Sequence, residues 1–288
     1  MKVLVIGSTG QLGQDLIQVF GDEAVGFAHE DLDVTDKAGV ASAISTLKPD
    51  WVLNTAAFHR VDDCEDDPTS TFAVNATGAL NIARAAADVG SGVAFFSTDY
   101  VFGGEDRERN HPYEEGDSPH PLSVYGTSKV AGEQLVKQAN GRHLVVRSAG
   151  LYGTATSRKG WTFPELMINK ARSEGSVRVV TDQVLSPTFT ADLAQKTKEL
   201  VEHDAVGLFH LTNARECSWF EFAQEAFNIV GVEAEMQPVD SEQFKQRARR
   251  PSYSALATTR LGEIGLSPMR PWGEALGDYL REKGMIQG

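Results

Sequence analysis

Cysteine is nearly absent from the 288-residue chain: Cys64 and Cys217 stand apart, with no Cys-x-x-Cys spacing. Two isolated thiols argue against a disulfide framework or a zinc site and fit a reducing compartment. Basic residues are also few, 27 Lys and Arg against 40 Asp and Glu, for a net charge of -13. That balance disfavours non-specific binding to nucleic acid or an anionic membrane, although a helix N-terminus or a few placed arginines still suffice for a phosphate. No apolar run approaches the ~18 residues that would span a bilayer, and Met1-Lys2 leads at once into a strand-like run too short for a signal peptide. His59, His111, His120, His203 and His210 lack metal-ligand spacing, so no metal site is expected. Repeats and low-complexity tracts are missing. With 41% hydrophobic and 23% charged residues the composition is that of a globular, cytoplasmic protein with a full core.

What is present alternates. Val3-Leu4-Val5-Ile6 reads as a parallel strand covered on both faces, and Leu12, Leu16, Val19 and Phe20 then recur at helical spacing. Strand-like runs follow at 24–28, 51–56, 92–97 and 143–147, with helical stretches near 37–47, 71–88 and 123–139. Such succession predicts an α/β fold, a Rossmann-type doubly wound parallel sheet. Residues 1–150 are expected to form a dinucleotide-binding domain and residues 151–288 mainly a smaller α/β substrate-binding domain, with the chain free to cross back. A polar loop at 153–160 and a charged loop at 105–109 interrupt the pattern, and a cleft between the halves is the natural ligand site.

Gly7-Ser8-Thr9-Gly10-Gln11-Leu12-Gly13 sits where a strand ends and a helix begins. In that context Gly7 can turn tightly, Gly10 admits a pyrophosphate to the backbone, and Gly13 lets helix and strand approach. The helix N-terminus offers its free amides to the anion. About 20 residues further on, where an acid would hold a ribose hydroxyl and a cation a 2'-phosphate, stands His29-Glu30-Asp31-Leu32-Asp33. The cofactor is therefore NADP(H) or NAD(H), with both left open.

Tyr125 and Lys129 are four residues apart on one predicted helix, hence on one face. An ammonium beside a phenol favours the phenolate and brings the group into a range useful for acid–base work on a carbonyl or alcohol. Upstream, Ser97-Thr98 closes a strand.

Gly7-x-x-Gly10-x-x-Gly13, Asn54-Thr55-Ala56-Ala57, Ser97-Thr98-Asp99-Tyr100-Val101-Phe102 and Tyr125-x-x-x-Lys129 together resemble the extended short-chain dehydrogenase/reductases. Within them the chain is most similar to the dTDP-4-dehydrorhamnose reductases, through Asp31–Asp36, Val61-Asp62 with Glu65, Asp182–Val184 with Ser186–Thr188, and Arg250-Pro251 with Ser254 and Leu256. The resemblance implies NAD(P)H-dependent reduction of the 4-keto group of a nucleotide-linked, dTDP-type deoxysugar, with a homodimer left open. It implies a catalytic triad of Thr98, Tyr125 and Lys129, with Gly7, Gln11 and Leu12 at the pyrophosphate, Asp33 and Val34 at the adenine, and Ala56 and Ala57 at the ribose. Val61, Asn75 and Arg250 would serve the sugar pocket or its supports, and Arg250 would clamp the diphosphate. Where relatives often carry an aromatic near the sugar, this chain has Gly150, and Trp161 would fill the space from the next loop.

Ketone reduction adds hydride to carbon and leaves negative charge on oxygen. Thr98 would donate a hydrogen bond to that oxygen, Tyr125 would deliver the proton, and Lys129 would lower the Tyr pKa. A dehydratase commonly needs an Asp-Glu pair after the catalytic Thr, whereas Asp99 is followed by Tyr100. An epimerase, or a non-catalytic dinucleotide-binding regulatory subunit of the same fold, remains an alternative.

Overall fold

The apolar run Val3–Ile6 forms the first strand, β1, and every residue in it is buried, as a strand covered on both faces requires. The computed structural model describes residues 1–104, 109–155 and 160–286, so residues 105–108 of the loop expected at 105–109 and residues 156–159 of the loop expected at 153–160 lie outside the described residues. In the first half the chain continues through α1 (Gln11–Phe20), β2 (Ala24–Phe27), α2 (Lys37–Leu47), β3 (Trp51–Asn54), α3 (Val61–Asp66) and α4 (Pro68–Phe72). A π-helical turn (Ala73–Gly78), α5 (Ala79–Asp88), β4 (Gly92–Thr98), α6 (Val124–Ala139) and β5 (His143–Ser148) follow. The second half carries β6 (Leu151–Tyr152), α7 (Phe163–Glu174), β7 (Ser176–Val180), β8 (Val184–Leu185), β9 (Thr188–Phe189) and α8 (Thr190–Glu202). It ends with β10 (Gly207–His210), β11 (Cys217–Ser218), α9 (Trp219–Val230), β12 (Glu235–Val239), α10 (Arg260–Glu263) and α11 (Trp272–Glu282).

Among the described residues, six strands pair in parallel in the order β10-β5-β4-β3-β1-β2. Because side chains alternate along a strand, Val3 and Val5 pack with Leu16, Leu193 and Phe209 on one face, while Leu4 and Ile6 pack with Val40, Ile82 and Val136 on the other. The chain leaves β1 for β2 on one side and returns to β3 on the other. Strand order therefore reverses at the carboxyl ends of Ile6 and Asn54, which are register partners, and a ligand crevice opens there.

Residues beyond 150 do not form one block. The helix α8 packs on α1, and β10 extends the first sheet beside β5. A separate core joins α7, α9, α11 and β7 through Met167, Phe222, Tyr279 and Val177. Gly126 and Gly132 let α6 settle tightly: a Cβ at Gly126 would stand 2.2 Å from the Tyr100 carbonyl oxygen, and one at Gly132 would stand 2.4 Å from that of Asn75.

Candidate active site

One cavity of about 860 Å³ runs from the glycine turn after β1, past the ends of β3, β4 and β5, to an aromatic wall on α7 and α9. Its volume is that of an ordinary small-molecule site. Gly7, at φ 83°, closes the turn by donating its N–H to Phe27 O at 2.8 Å, and a Cβ there would meet Thr55 Oγ1 at 2.5 Å. At Gly13 a Cβ would stand 2.2 Å from Gly7 O, so only glycine lets α1 approach its strand this closely. Gly10 caps α1 with extended backbone and no side-chain hydrogen bond, which leaves the first-turn amides for a ligand anion. This cradle fits a pyrophosphate.

The cavity wall includes Gly7, Gly10, Gln11, Leu12 and Gly13 at that turn. His29, Asp33, Val34, Ala56 and Ala57 continue it along the far edge. Two of these side chains also do structural work. Gln11 Nε2 donates to Gly153 O at 3.2 Å and Ala155 O at 3.1 Å, tying the start of α1 to the chain beyond β6. Asp33 Oδ1 accepts from both Thr35 N and Thr35 Oγ1 at 2.8 Å, and these bonds hold its pKa below the ordinary value.

Thr98, Tyr125 and Lys129 converge on the middle of the cavity. Thr98 ends β4, whereas Tyr125 and Lys129 come from the first two turns of α6. Ser123 caps that helix by accepting from Gly126 N at 3.1 Å, and Glu65 of α3 accepts from Val124 N at 2.8 Å. Lys129 is buried, its ammonium 4.1 Å from the centre of the Phe95 ring, and burial pulls its pKa down to about 7 despite the opposing pull of Glu133. Burial likewise pushes the Tyr125 phenol well up, with a hydrogen bond from Thr98 drawing it partly back. Desolvation thus dominates at both groups, and the Tyr125 phenol stands above its ordinary range rather than below it. Both groups lie in a low-dielectric interior, where desolvation outweighs the neighbouring charge and favours the neutral forms.

The opposite wall is aromatic. Trp219 packs at a tilt against Phe163 with ring centres 4.4 Å apart, and both line the cavity with Phe222, Tyr152 and Trp161. Gly150 also lines it, at φ 51°; a Cβ there would stand 2.6 Å from Leu185 Cδ1 and 3.5 Å from the Trp219 ring.

Comparison with known proteins agrees with this geometry. The family model described as the RmlD substrate binding domain matches residues 1–285. The chain belongs to this family. It is 35% identical over 285 residues to the spore coat polysaccharide biosynthesis protein SpsK of Bacillus subtilis, covering 98% of each chain. To the dTDP-4-dehydrorhamnose reductase of Mycolicibacterium smegmatis it is 37% identical over 286 residues, covering 96% of this chain and 84% of that one. Its fold superimposes on a dTDP-4-dehydrorhamnose reductase from Bacillus anthracis, solved in complex with NADP, with a TM-score of 0.92, 34% identity and coverage of 98% and 100%.

Two of the residues expected at the sugar pocket or among its supports, Asn75 and Arg250, lie outside the cavity wall of this RmlD-family site. Asn75 is fully buried behind the wall: its Oδ1 accepts from Phe58 N at 2.8 Å, while its Nδ2 donates to Phe58 O and to Ser128 Oγ, each at 3.0 Å. It braces the loop after β3 against α6, with both amide hydrogens committed and the side chain outside the cavity wall. Arg250 is bound to Asp62 Oδ2 at 3.1 Å and to Ala248 O at 3.2 Å, and it is not part of the cavity wall. The acidic run on α3 therefore anchors the segment before Pro251, with Asp63 and Asp66 paired to Arg247.

Val61 and Trp161 do line the cavity. Asp99, Tyr100, Gln183, Trp219 and Ser254, to which sequence reading gives no role in the site, line it too. For Trp219 no local signal exists, since its apolar helical spacing reads equally as core. Among the described residues, no group of three or more His, Cys, Asp or Glu is placed to hold a metal ion, and no helix is long and apolar enough to cross a membrane.

Proposed function

We propose that the protein is an NAD(P)H-dependent reductase that converts the 4-keto group of a dTDP-linked deoxysugar, such as dTDP-4-dehydrorhamnose, to an alcohol. The carrying observation is one continuous cavity that joins a pyrophosphate cradle at Gly7–Gly13 to Thr98, Tyr125 and Lys129 and then to an aromatic wall. Relatives carrying that enzyme name over nearly the whole chain support the substrate class.

When bound, the nicotinamide supplies the hydride. The chain orients the sugar ketone between Thr98 and Tyr125 and excludes water from it. Thr98 donates a hydrogen bond to the oxygen as charge develops there, and Tyr125 gives up its phenolic proton to the same oxygen. A neutral phenol suits this step, because an alkoxide is far more basic than a phenolate and takes the proton downhill. Lys129, in its ammonium form, steadies the phenolate that remains and would hold the nicotinamide ribose. Water elimination lacks a second carboxylate beside Asp99, where Tyr100 stands instead. Two free, buried thiols at Cys64 and Cys217 support a cytoplasmic setting.

The test is dinucleotide oxidation by purified protein across a panel of nucleotide-linked 4-keto sugars, each with NADPH and NADH. Stoichiometric oxidation with the dTDP-linked ketone is expected. Dinucleotide binding with no turnover of any ketone would favour a regulatory subunit instead, and a tightly retained dinucleotide would favour an epimerase.

A further inference from the structure

Asp99 is the charged side chain closest in sequence to Thr98, and it is 3% exposed. Its Oδ2 accepts from Ser254 Oγ at 2.6 Å, and its Oδ1 faces Thr98 Oγ1 at 3.0 Å. Thr98 Oγ1 also accepts from Tyr100 N at 3.2 Å. Ser254 lies 155 residues away in sequence, yet its backbone is pinned beside the cavity because its N–H donates to Val184 O at 2.8 Å.

A hydroxyl has one hydrogen to donate and two lone pairs to accept with. If Asp99 is ionised, the Thr98 hydrogen is committed to Oδ1 and cannot serve a substrate oxygen. If Asp99 carries a proton on Oδ1, that proton and the Tyr100 N–H fill both Thr98 lone pairs, and the Thr98 hydrogen turns to the cavity, toward the Tyr125 phenol oxygen and the substrate oxygen beside it. The donor at Ser254 keeps Oδ2 an acceptor and so decides which oxygen is protonated. We propose that Asp99 and Ser254 are positioning residues that set the direction of the Thr98 hydroxyl, aiming its hydrogen at the substrate oxygen when Asp99 is neutral. The role rests on the reductase reading above and deepens it.

Burial supports the neutral form, since it pushes the Asp99 carboxyl up to about 6 against the opposing bonds from Ser254 and Thr98. The titratable groups acting on this corner are Tyr100 and Tyr125, both held neutral by burial, with Cys64 behind Tyr125. Arg250 and Asp62 act on Tyr100 as an already paired couple.

The test couples two readouts. Carbon-13 NMR of aspartate carboxyl groups, with Asp99 assigned through Asp99→Asn, follows the Asp99 titration in wild type and Ser254→Ala, and kcat is measured against pH in the same proteins. In wild type kcat falls as pH rises through the Asp99 titration. Ser254→Ala removes a bond that favours the carboxylate, so both the titration and the descent of kcat move to higher pH, by about one unit, the worth of one hydrogen bond. Asp99→Asn, whose amide can donate to Thr98, loses the descent. Adding Ser254→Ala to it, which frees the amide to flip, lowers kcat by a further ~10-fold. Dinucleotide affinity stays within about 2-fold throughout, since neither side chain belongs to the pyrophosphate cradle. A descent of kcat that stays fixed while the Asp99 titration moves, or a descent that persists in Asp99→Asn, overturns the positioning role alone. A moving titration with no turnover of any keto sugar overturns the reductase reading and the role together.

Discussion

Glu133 lies one helical turn beyond Lys129 on α6 and accepts two hydrogen bonds from Arg147, at 2.9 and 2.7 Å. The pair is almost fully buried, and Ser97 donates to the same carboxylate at 2.5 Å. One buried carboxylate thus joins β4, β5 and α6 and raises the pKa of Lys129 against its desolvation. Glu133→Gln leaves the Arg147 charge without its counter-charge in the interior, and unfolding in urea should show a loss of about 3–5 kcal/mol. A loss below ~1 kcal/mol would show that the pair is well hydrated.

The depressed Lys129 gives a pH signature in the unliganded protein. In the folded state the amine releases its proton near 7, whereas in the unfolded chain it keeps it to 10.5. Between these values the unfolded state binds the extra proton, so stability rises with pH, at up to about 1.4 kcal/mol per unit. Urea midpoints measured between pH 7 and 9 should climb in wild type. In Lys129→Met the climb should be smaller.

Tyr125→Phe removes the hydroxyl proposed to deliver the proton and leaves the ring. Dinucleotide affinity should change by less than about 3-fold, while turnover falls by roughly 100-fold to 10,000-fold. Fluorescence titration with NADPH and steady-state assays on one preparation separate the two effects.

At Gly13 even a methyl group collides with the Gly7 carbonyl oxygen, 2.2 Å away. Gly13→Ala should push α1 off its strand and weaken dinucleotide binding by about 100-fold or more, equal to roughly 2.8 kcal/mol. Calorimetric titration with dinucleotide measures this. Unchanged affinity would remove the cradle from the site.

Trp219 presents its ring to the cavity beside Gly150, where a side chain is absent. Trp219→Leu should raise the KM for the keto sugar by about 10-fold, the scale of one aromatic contact. Little change in dinucleotide affinity should accompany it.

Much of the nucleotide end is legible in the sequence because its determinants are local. A glycine turn, a strand end and a Tyr-x-x-x-Lys pair each lie within a few residues, and the backbone periodicity fixes where they face. The rest depends on partners far along the chain. Arg250 is claimed by Asp62, 188 residues away, and Asn75 by Phe58 and Ser128. Ser254 reaches Asp99 only because β8 pins its segment. The strands β6, β8, β9 and β11 are two residues each, too short to carry an alternating pattern. In β12, Pro238 and the polar Glu235 and Gln237 hide a strand that pairs with β7.

In the proposed reaction hydride and proton reach a sugar ketone held between Thr98 and Tyr125. The most direct measurement is isotope transfer: the dTDP-linked 4-keto sugar is incubated with protein and a dinucleotide deuterated at its transferable position, and the product is read by mass spectrometry and NMR. One deuterium at C4 of the sugar in wild type, with at least ~100-fold slower labelling in Tyr125→Phe, is the predicted result. Dinucleotide bound in the cradle with no deuterium in any sugar product, or equal labelling by both proteins, would contradict it.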